Sequence, residues 1–428
     1  MRWPLWPPGA YDGNYVMANS PSVYDDGPRR DQFTWAGFVS PTRAAGLARL
    51  TAFVPAMGSA YAARRNEDFG PGAHSAVSGL SPWLRHRLVT EEEAVAAAIS
   101  AHGAQNAEKF IQEVLWRTYW KGWLEQRPSV WHDYKNAVVE AGARSASEVA
   151  AVVAGRTGIA CMDAWARELV ETGYLHNHAR MWFASIWCFT LRLPWQLGAD
   201  LFLRHLLDAD AASNTLSWRW VAGLQTPGKH YVARAENIAR YTGGRFSPVG
   251  QLNEAPLPLK AGAPEPRVAL PVPQPPPQGR VALLLHEDDL MAETLPIGGA
   301  QVVAIGGMAV PEARGPGGCA PQAAAWVRGA LVDGLERASR HFSVPAAPIE
   351  TVAAWADAAG CKTVITPYAP AGWTADWLSA AEVELAGSGI RLHRICRSWD
   401  SEKWPHATRG FFPFWAEAGR LMTLSPGE

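Results

Sequence analysis

Residues 176–220 read HNHARMWFASIWCFTLRLPWQLGADLFLRHLLDADAASNTLSWRW, a stretch in which polar side chains are set among aromatic and aliphatic ones. If its first part is helical, the spacing i, i+3, i+4, i+7 places four side chains on one face: Asn177, Arg180, Met181 and Ala184. A guanidinium on such a face needs an acid, and Asp208 and Asp210 follow after a second helical run. Because a buried charged pair loses its hydration, we interpret this stretch as a site for a polar ligand.

Length and composition narrow the class of protein. The chain has 428 residues, which is enough for about two or three domains with their own cores. Its formal net charge of -1 excludes a global basic field, although a local groove can still attract nucleic acid. The 21 tryptophans favour stacking of planar ligands or electron transfer, with core packing as the alternative.

The cysteines and the first residues indicate the compartment. The chain has 5 cysteines without a C-x-x-C spacing, which argues for a reducing cytosol and against a disulfide framework or an iron-sulfur site. His176 and His178 form an H-x-H pair but point to different sides of a helix, so we expect no metal site. The start, MRWPLWPPGAYDG, lacks the apolar core of a signal peptide. We therefore expect a cytoplasmic protein without a membrane span, and a monomer.

Changes in periodicity divide the chain into four segments. Residues 1–37 are rich in Pro, Gly and Asp and predict an irregular arm, and residues 38–250 have helical periodicity. Residues 251–279 are so rich in proline that neither helix nor sheet can propagate, which predicts an extended linker. In residues 280–428, short apolar strands alternate with helices, which favours a doubly wound α/β domain with a parallel sheet.

Two further motifs carry candidate chemistry. Ser78 and Ser81 flank a chain reversal whose hydroxyls and free N–H groups suit a phosphate, although most serine-rich turns are only turns. In FIQEVLWRTYWKGWLEQ, the helical period places Glu113, Trp116 and Arg117 on one face. The alternative for this segment is an ordinary amphipathic helix with a tryptophan stripe.

These motifs together resemble the photolyase/cryptochrome family. HNHARMWFAS, DADAASN and WRW are similar to the family's HN-R-RM--AS, D-D-A--N and W-W, at matching intervals, and the segments around Ser78 and Glu113 are similar to its S-LSP-L and E-L-WR-FY. The resemblance covers residues 41–246 strongly and 280–420 weakly. It implies an all-helical FAD-binding domain followed by a Rossmann-like, antenna-type domain, in the reverse of the family's usual order, as if the chain were circularly permuted.

The resemblance implies a role for each candidate residue. Arg180 and Asp208 are expected to pair beside the flavin ring, Asp210 to meet its polar edge and Asn214 to lie near N5. The full set expected to bind FAD is Tyr61, Ser78, Leu80, Ser81, Phe110, Arg117, Asn177, Arg180, Asp208, Asp210 and Asn214. The residues expected to hold the substrate, a cyclobutane pyrimidine dimer flipped out of DNA, are Glu113, Trp116, Asn177, Met181 and Trp220.

Electron transfer and DNA contacts also follow from the resemblance. Trp218 and Trp195 are expected to be the proximal and middle members of an electron relay. The distal tryptophan is missing from EAGARSA at 140–146, which leaves Trp131 or Tyr134 as the terminus, or inefficient photoreduction. His178 stands where an arginine would contact the DNA backbone in the family. Residues of the later turn at 225–237 could replace that contact: Lys229, Tyr231 and Arg234.

The resemblance therefore predicts a light-dependent FAD photolyase that splits cyclobutane pyrimidine dimers in DNA. One alternative is a cryptochrome-like photoreceptor that binds FAD and signals through a partner protein. Another is a flavoprotein without photochemistry, or a structural module with a vestigial pocket. The sequence leaves open whether an antenna chromophore occupies the α/β domain.

Overall fold

The computed structural model describes residues 40–142, 145–226, 228–260, 262 and 265–424. These residues lie in one compact unit. The arm predicted at 1–37 lies outside the described residues.

Helices form the first half of the described chain, as the periodicity of residues 38–250 predicts. A π-helical turn at Ile186–Thr190 extends α9, and the other helices are separated by short turns. Their bounds are α1 Arg43–Phe53, α2 Ser59–Arg64, α3 Ser81–Arg85, α4 Glu91–Asn106, α5 Glu108–Glu125, α6 Ser129–Gly142, α7 Ala146–Val153, α8 Ala160–Thr172, α9 Asn177–Ser185, α10 Trp195–His205, α11 Ala211–Ala222 and α12 Ala235–Tyr241.

Capping side chains fix where the helices nearest the candidate site begin. Thr90 and Glu93 form a reciprocal capping box at the start of α4, in which each side chain accepts a hydrogen bond from the other's backbone N–H. Asp210 caps α11 by accepting a hydrogen bond from the backbone of Ser213 at 2.8 Å. Helix α11 ends at Gly223, whose φ of 85° is in the left-handed region that glycine adopts without strain.

A five-stranded parallel sheet with flanking helices follows in the chain. The strand order is β3-β2-β1-β4-β5, so the direction of winding reverses between β1 and β4. The strands are β1 Gly279–His286, β2 Ala300–Met308, β3 Ala346–Pro348, β4 Thr363–Pro367 and β5 Arg391–Ile395, and the helices are α13 Pro321–Phe342, α14 Val352–Ala358, α15 Trp373–Gly387, α16 Ser398–Lys403 and α17 Phe411–Leu424. Strand β3 has no signal in the sequence, because three residues that end in proline show no period.

The cores combine a buried central strand with large aromatic side chains of the helices. Residues 281–285 of β1 are fully buried, as expected for a central strand covered on both sides. Large aromatic side chains fill the helical part, and these tryptophans are buried almost completely: Trp131, Trp165, Trp182, Trp187 and Trp218. Within the described ranges, no helix combines the length and the apolar character needed to cross a membrane.

A buried ion-pair network joins the helices to the carboxyl end of the sheet. At its centre, Arg87 is paired with three carboxylates, with Glu91 at 3.2 Å, Asp289 at 3.0 Å and Asp400 at 2.7 Å. Arg87 has a left-handed φ of 51°, which is strained for a residue with a side chain. Arg397 pairs with the same Asp289. Asp288, which pairs with Arg85, and Asp289 both follow β1 directly, so these two acids hold the helical part against the sheet.

The proline-rich segment lies along the helices. In the described residues between 251 and 278 there is no helix or strand. The backbone N–H of Leu259 donates to Ala222 and that of Val268 donates to Gln126, each at 2.9 Å. The extended conformation follows from the prolines, whereas these contacts with α5 and α11 have no signal in the sequence.

Because Arg87 is the centre of the ion-pair network, its substitution should destabilise the protein strongly. We expect Arg87→Met to lower the free energy of unfolding by about 3–5 kcal/mol, because three buried carboxylates each lose one close cation. The measurement is urea unfolding followed by circular dichroism. Arg64→Met is the matched control, since Arg64 and Glu67 form a surface pair that contributes only about 0.5 kcal/mol. Equal losses in the two variants would contradict a structural role for the network.

Candidate functional site

Helices α3, α5, α9 and α11 enclose a cavity of about 580 Å³, which is within the usual range for ligand sites. All of the residues predicted to bind the cofactor line it: Tyr61, Ser78, Leu80, Ser81, Phe110, Arg117, Asn177, Arg180, Asp208, Asp210 and Asn214. The predicted substrate residues line the same cavity: Glu113, Trp116, Asn177, Met181 and Trp220. Residues from 61 to 220 thus converge on one space.

The predicted arginine-acid pair is present in the cavity wall. Arg180 Nη2 lies 2.8 Å from Asp208 Oδ2, and Arg180 Nε donates to the carbonyl of Leu175 at 2.8 Å. The other oxygen, Asp208 Oδ1, is buried without a hydrogen-bond partner among the described residues. Because buried polar atoms are nearly always paired, this oxygen indicates a missing donor from a ligand or water.

Asp210 is a second anion at the cavity wall. Its Oδ2 lies 3.3 Å from Arg117 Nη2 and 3.9 Å from Lys121 Nζ. Burial alone would raise the pKa of Asp210, but the Arg117 and Lys121 cations hold it well below its usual range. The Asp210 carboxylate is therefore ionised whenever the protein is folded near neutral pH.

Asn214 presents one of its two polar atoms to the cavity. Its Nδ2 donates to the carbonyl of Ala199 at 2.8 Å, and the residue also lines the cavity. The amide is thereby held in one orientation, which leaves Oδ1 as the atom that can accept a hydrogen bond from a ligand.

Glu113 lies at the part of the cavity lined by tryptophans. Its nearest cation is Arg65, at 3.7 Å, and 36 % of its side chain remains exposed, on the cavity side. Enclosure by the cavity walls raises the pKa of Glu113 above its ordinary value, against the opposing effect of Arg65. This carboxyl group can therefore retain a proton more readily than a surface acid.

The structure places His178 differently from the position predicted at the DNA backbone. His178 is only 9 % exposed, and its ring stacks on Trp182 with the centroids 4.3 Å apart. Its Nε2 lies 3.1 Å from the hydroxyl of Tyr231, so both side chains are engaged within the protein. Of the four residues predicted to contact DNA, Lys229 and Arg234 are exposed cations outside the cavity.

Part of the predicted electron relay forms a series of neighbouring aromatic rings. Trp218 lies in the cavity wall and is 2 % exposed. Trp195 lies outside that wall, 5.8 Å from the ring of Tyr134, which in turn is 5.5 Å from Trp131. Tyr134 and Trp131, the two alternative ends of the relay, therefore follow Trp195 in space, in that order.

Several residues at the site have no clear signal in the sequence. Ser213 lines the cavity, and its buried hydroxyl has no partner among the described residues; its place beside Asn214 was the only available signal. Phe411 lies against Trp116 with 3.8 Å between ring centroids. No local pattern could link residues so far apart in the chain.

The sequence of this region matches a known family. Residues 110–277 match the family model described as the FAD binding domain of DNA photolyase. The predicted cofactor, FAD, is confirmed at this level, because this segment has the sequence of an FAD-binding domain of the photolyase type.

Curated relatives give the same result over part of their length. The chain is 38% identical over 155 residues to a deoxyribodipyrimidine photo-lyase of Streptomyces griseus, covering 36% of this chain and 34% of that protein. It is 32% identical over 238 residues to a deoxyribodipyrimidine photo-lyase of Thermus thermophilus, covering 53% of this chain and 51% of that protein. The chain thus spans between about a third and a half of these relatives. Together with the family model, they support the photolyase/cryptochrome family.

Solved structures of the same group overlap in part with this chain. A class III photolyase from Agrobacterium tumefaciens has a TM-score of 0.42 at 24% identity, over 52% of this chain and 50% of that one. An archaeal photolyase from Sulfolobus tokodaii, solved with two FAD molecules, has a TM-score of 0.39 at 24% identity, over 48% of this chain and 46% of that one.

The residues present fit a flavin dinucleotide. The cavity is large, and its wall has buried polar atoms without a partner among the described residues at two points, Asp208 Oδ1 and Ser213 Oγ. The wall combines a guanidinium-carboxylate pair with serine hydroxyls and an amide oxygen. A ligand with a polar ring edge and a phosphate-containing chain would satisfy such a set.

The buried state of His178 predicts a specific pH dependence of stability. Its Nδ1 faces the carbonyl of Asn66 and its Nε2 faces the Tyr231 hydroxyl, a pattern that the neutral ring satisfies. Burial lowers the pKa of His178 to about 4. The unfolded chain takes up this proton near its ordinary pKa of about 6.5, so the free energy of unfolding falls as pH drops from 6.5 to 4, by up to about 3 kcal/mol.

His178→Gln should remove this part of the pH dependence. Urea unfolding at several pH values between 4 and 7 measures the slope. His132→Gln, at an exposed position of α6, is the control and should keep the wild-type slope. A wild-type slope in His178→Gln would mean that folding does not lower the pKa of this ring.

Proposed function

We propose that this protein is a light-dependent FAD photolyase that splits cyclobutane pyrimidine dimers in DNA. The observation that carries the proposal is the single cavity, in which the Arg180–Asp208 pair and the substrate set around Glu113 share one enclosed space. A cofactor and a substrate bound there would lie close together, as electron transfer between them requires.

At the cofactor end of the cavity, the Arg180–Asp208 ion pair and the fixed amide of Asn214 are expected to bind FAD. Arg180 and Asp208 fix each other, and Asp208 Oδ1 remains free to accept a hydrogen bond. Asn214 Oδ1 offers a second, neutral acceptor, held by the bond to Ala199. When bound, FAD in its reduced form supplies the electron that light transfers to the dimer. A neutral amide tolerates a negatively charged ligand ring better than a carboxylate would.

The substrate end is expected to bind a dimer extruded from DNA. Trp116 and Trp220 offer aromatic faces, and Met181 adds an adaptable apolar contact. Glu113, with its raised pKa, can hold a proton and donate it in a hydrogen bond to a base carbonyl. Asn177 offers both a donor and an acceptor. A hydrogen bond to a carbonyl that gains negative charge strengthens during the reaction, so these two groups favour splitting.

We infer further that the two parts of the chain are domains in reversed order, at 38–250 and 280–428, joined by the linker at 251–279. This is supported by the order of helices and strands and by the ion pairs of Arg87. A protease site inserted in the linker tests it: after cleavage, the two fragments should stay associated in buffer and separate in denaturant. Fragments that separate without denaturant would contradict it.

Light-dependent repair is the decisive measurement. The purified protein, reconstituted with FAD and a reductant, is illuminated with an oligothymidine that contains dimers. We expect flavin absorption and loss of dimers in light only. Flavin bands without repair would leave the photoreceptor alternative, and failure to bind flavin would overturn both.

Glu113 variants test the substrate end. We expect Glu113→Ala to lower the affinity for dimer-containing DNA by roughly 10- to 100-fold, the loss that follows from leaving a base carbonyl without its hydrogen bond in a desolvated site. Glu113→Gln should lose less, because the amide still donates a hydrogen bond. Filter binding in the dark measures the affinity, and flavin absorption confirms that the cofactor remains. If the wild type, Glu113→Ala and Glu113→Gln bind the dimer with equal affinity, the dimer does not contact Glu113.

The photoreceptor alternative is favoured by the burial of His178 and the net charge of -1. A cryptochrome-like protein would bind a signalling partner instead of damaged DNA. The two functions differ in salt dependence, because a photolyase must neutralise phosphates and release counterions.

Lys229 and Arg234 supply the test of phosphate contacts. In the photolyase, replacing either exposed cation with Ala should lower the slope of log affinity against log salt by about 1. Binding titrations with dimer-containing duplex at several salt concentrations measure this slope. Lys362→Ala, at an exposed position before β4, is the control. If Lys229→Ala and Arg234→Ala both keep the wild-type slope, the turn that carries Lys229 and Arg234 does not contact DNA phosphates.

A further inference from the structure

An aromatic ring from the far end of the chain lies on one wall of the cavity. Phe411, the first residue of α17, is 4 % exposed. It stacks on Trp116 with 3.8 Å between the ring centroids and 8° between the planes. Trp116 lines the cavity and Phe411 is not among the described residues that do. Phe411 therefore covers the face of Trp116 that is turned away from the cavity.

A third ring keeps this stack in place. Tyr119, one turn further along α5, packs edge-on against Trp116 at 5.6 Å and against Phe411 at 5.8 Å. Its hydroxyl donates to the carbonyl of Arg409 at 2.5 Å, which ties the backbone before α17 to α5. Trp120 of the same helix also contacts Trp116, with 5.2 Å between the ring centroids. The plane of Trp116 is thus set by three aromatic contacts, of which the stack with Phe411 comes from the last described helix.

Trp220, the other tryptophan predicted at the substrate end, has a similar partner. Tyr231 stacks on Trp220 with 5.9 Å between the centroids and 26° between the planes. The Tyr231 hydroxyl is held by His178 Nε2 at 3.1 Å. Phe411 and Tyr231 lie on different segments from the helices that carry the two tryptophans. Each wall ring therefore has a partner ring that does not line the cavity.

We propose that Phe411 and Tyr231 are positioning residues that hold the planes of Trp116 and Trp220 ready for a planar ligand. The ligand class, pyrimidine bases flipped out of DNA, rests on the proposed function. A tryptophan that is free to rotate would lose rotamer entropy on binding, whereas a ring fixed beforehand does not. The stack with Phe411 also makes the geometry of the substrate end depend on the C-terminal helix α17.

Fluorine NMR tests the positioning itself, whatever the ligand. The protein is labelled with 5-fluorotryptophan, and the Trp116 signal is identified by its loss in Trp116→Phe. In Phe411→Leu we expect this signal to move and broaden, because the ring current of Phe411 is removed and the indole is freed. Phe414→Leu is the matched control: Phe414 is equally buried in α17 and contacts Tyr119 at 5.5 Å. It should leave the Trp116 signal in place.

Dimer binding tests what the positioning does. We expect Phe411→Leu to weaken binding of dimer-containing duplex by roughly two- to tenfold, the range for loss of one aromatic pair, with binding of undamaged duplex unchanged. Phe414→Leu should bind dimer-containing and undamaged duplex as the wild type does.

Tyr231, which stacks on Trp220, is tested in the same way. Tyr231→Leu should weaken dimer binding more than Tyr231→Phe, which keeps the ring.

The outcomes separate this proposal from the proposed function. If the wild type binds dimers no better than undamaged DNA, the proposed function fails, while the fluorine signals still decide whether Phe411 holds Trp116. A Trp116 signal that is the same in Phe411→Leu and in the wild type overturns the positioning. A displaced signal with wild-type dimer affinity overturns its role in recognition.

Discussion

The carboxylate of Asp210 belongs to two environments at once. One oxygen caps α11, the helix that carries Asn214 and two tryptophans of the cavity. The other faces Arg117, whose Nε lies 3.5 Å from Glu91, and Glu91 pairs with Arg87 at the contact with the sheet. A continuous series of charges therefore runs from the cavity to the carboxyl end of the sheet.

Such a network stabilises the protein only when it is complete. Ions removed from water lose several kcal/mol of hydration each, and only close partners in good geometry restore it. Here the depressed pKa of Glu91, at about 2, reflects the cations around it, which outweigh the effect of burial. The network also has a geometric consequence, because the helical part and the sheet must dock with each cation facing its carboxylates.

The cavity shows the same reliance on fixed partners. The side chains that would meet a ligand are each held by a second group: Arg180 by Asp208 and the Leu175 carbonyl, Asn214 by Ala199, and Trp116 by Phe411. A site prepared in this way has less to rearrange when a ligand enters, which favours both binding and reaction.

Much of the site could be predicted from the amino-acid sequence. The helical spacing from Asn177 to Ala184 predicts one shared face. The resemblance of the following motifs to the photolyase/cryptochrome family, at matching intervals, implies that Asp208, Asn214 and Trp220 join the same site. The parallel sheet also followed from the alternation of strands and helices. Three contacts could be found only in the folded protein. They are the burial of His178 against Trp182 and Tyr231, the pairing of the acids after β1 with Arg85 and Arg87, and the stack of Phe411 on Trp116. These contacts join residues distant in the chain, and their formation depends on how whole elements pack, which no local period records.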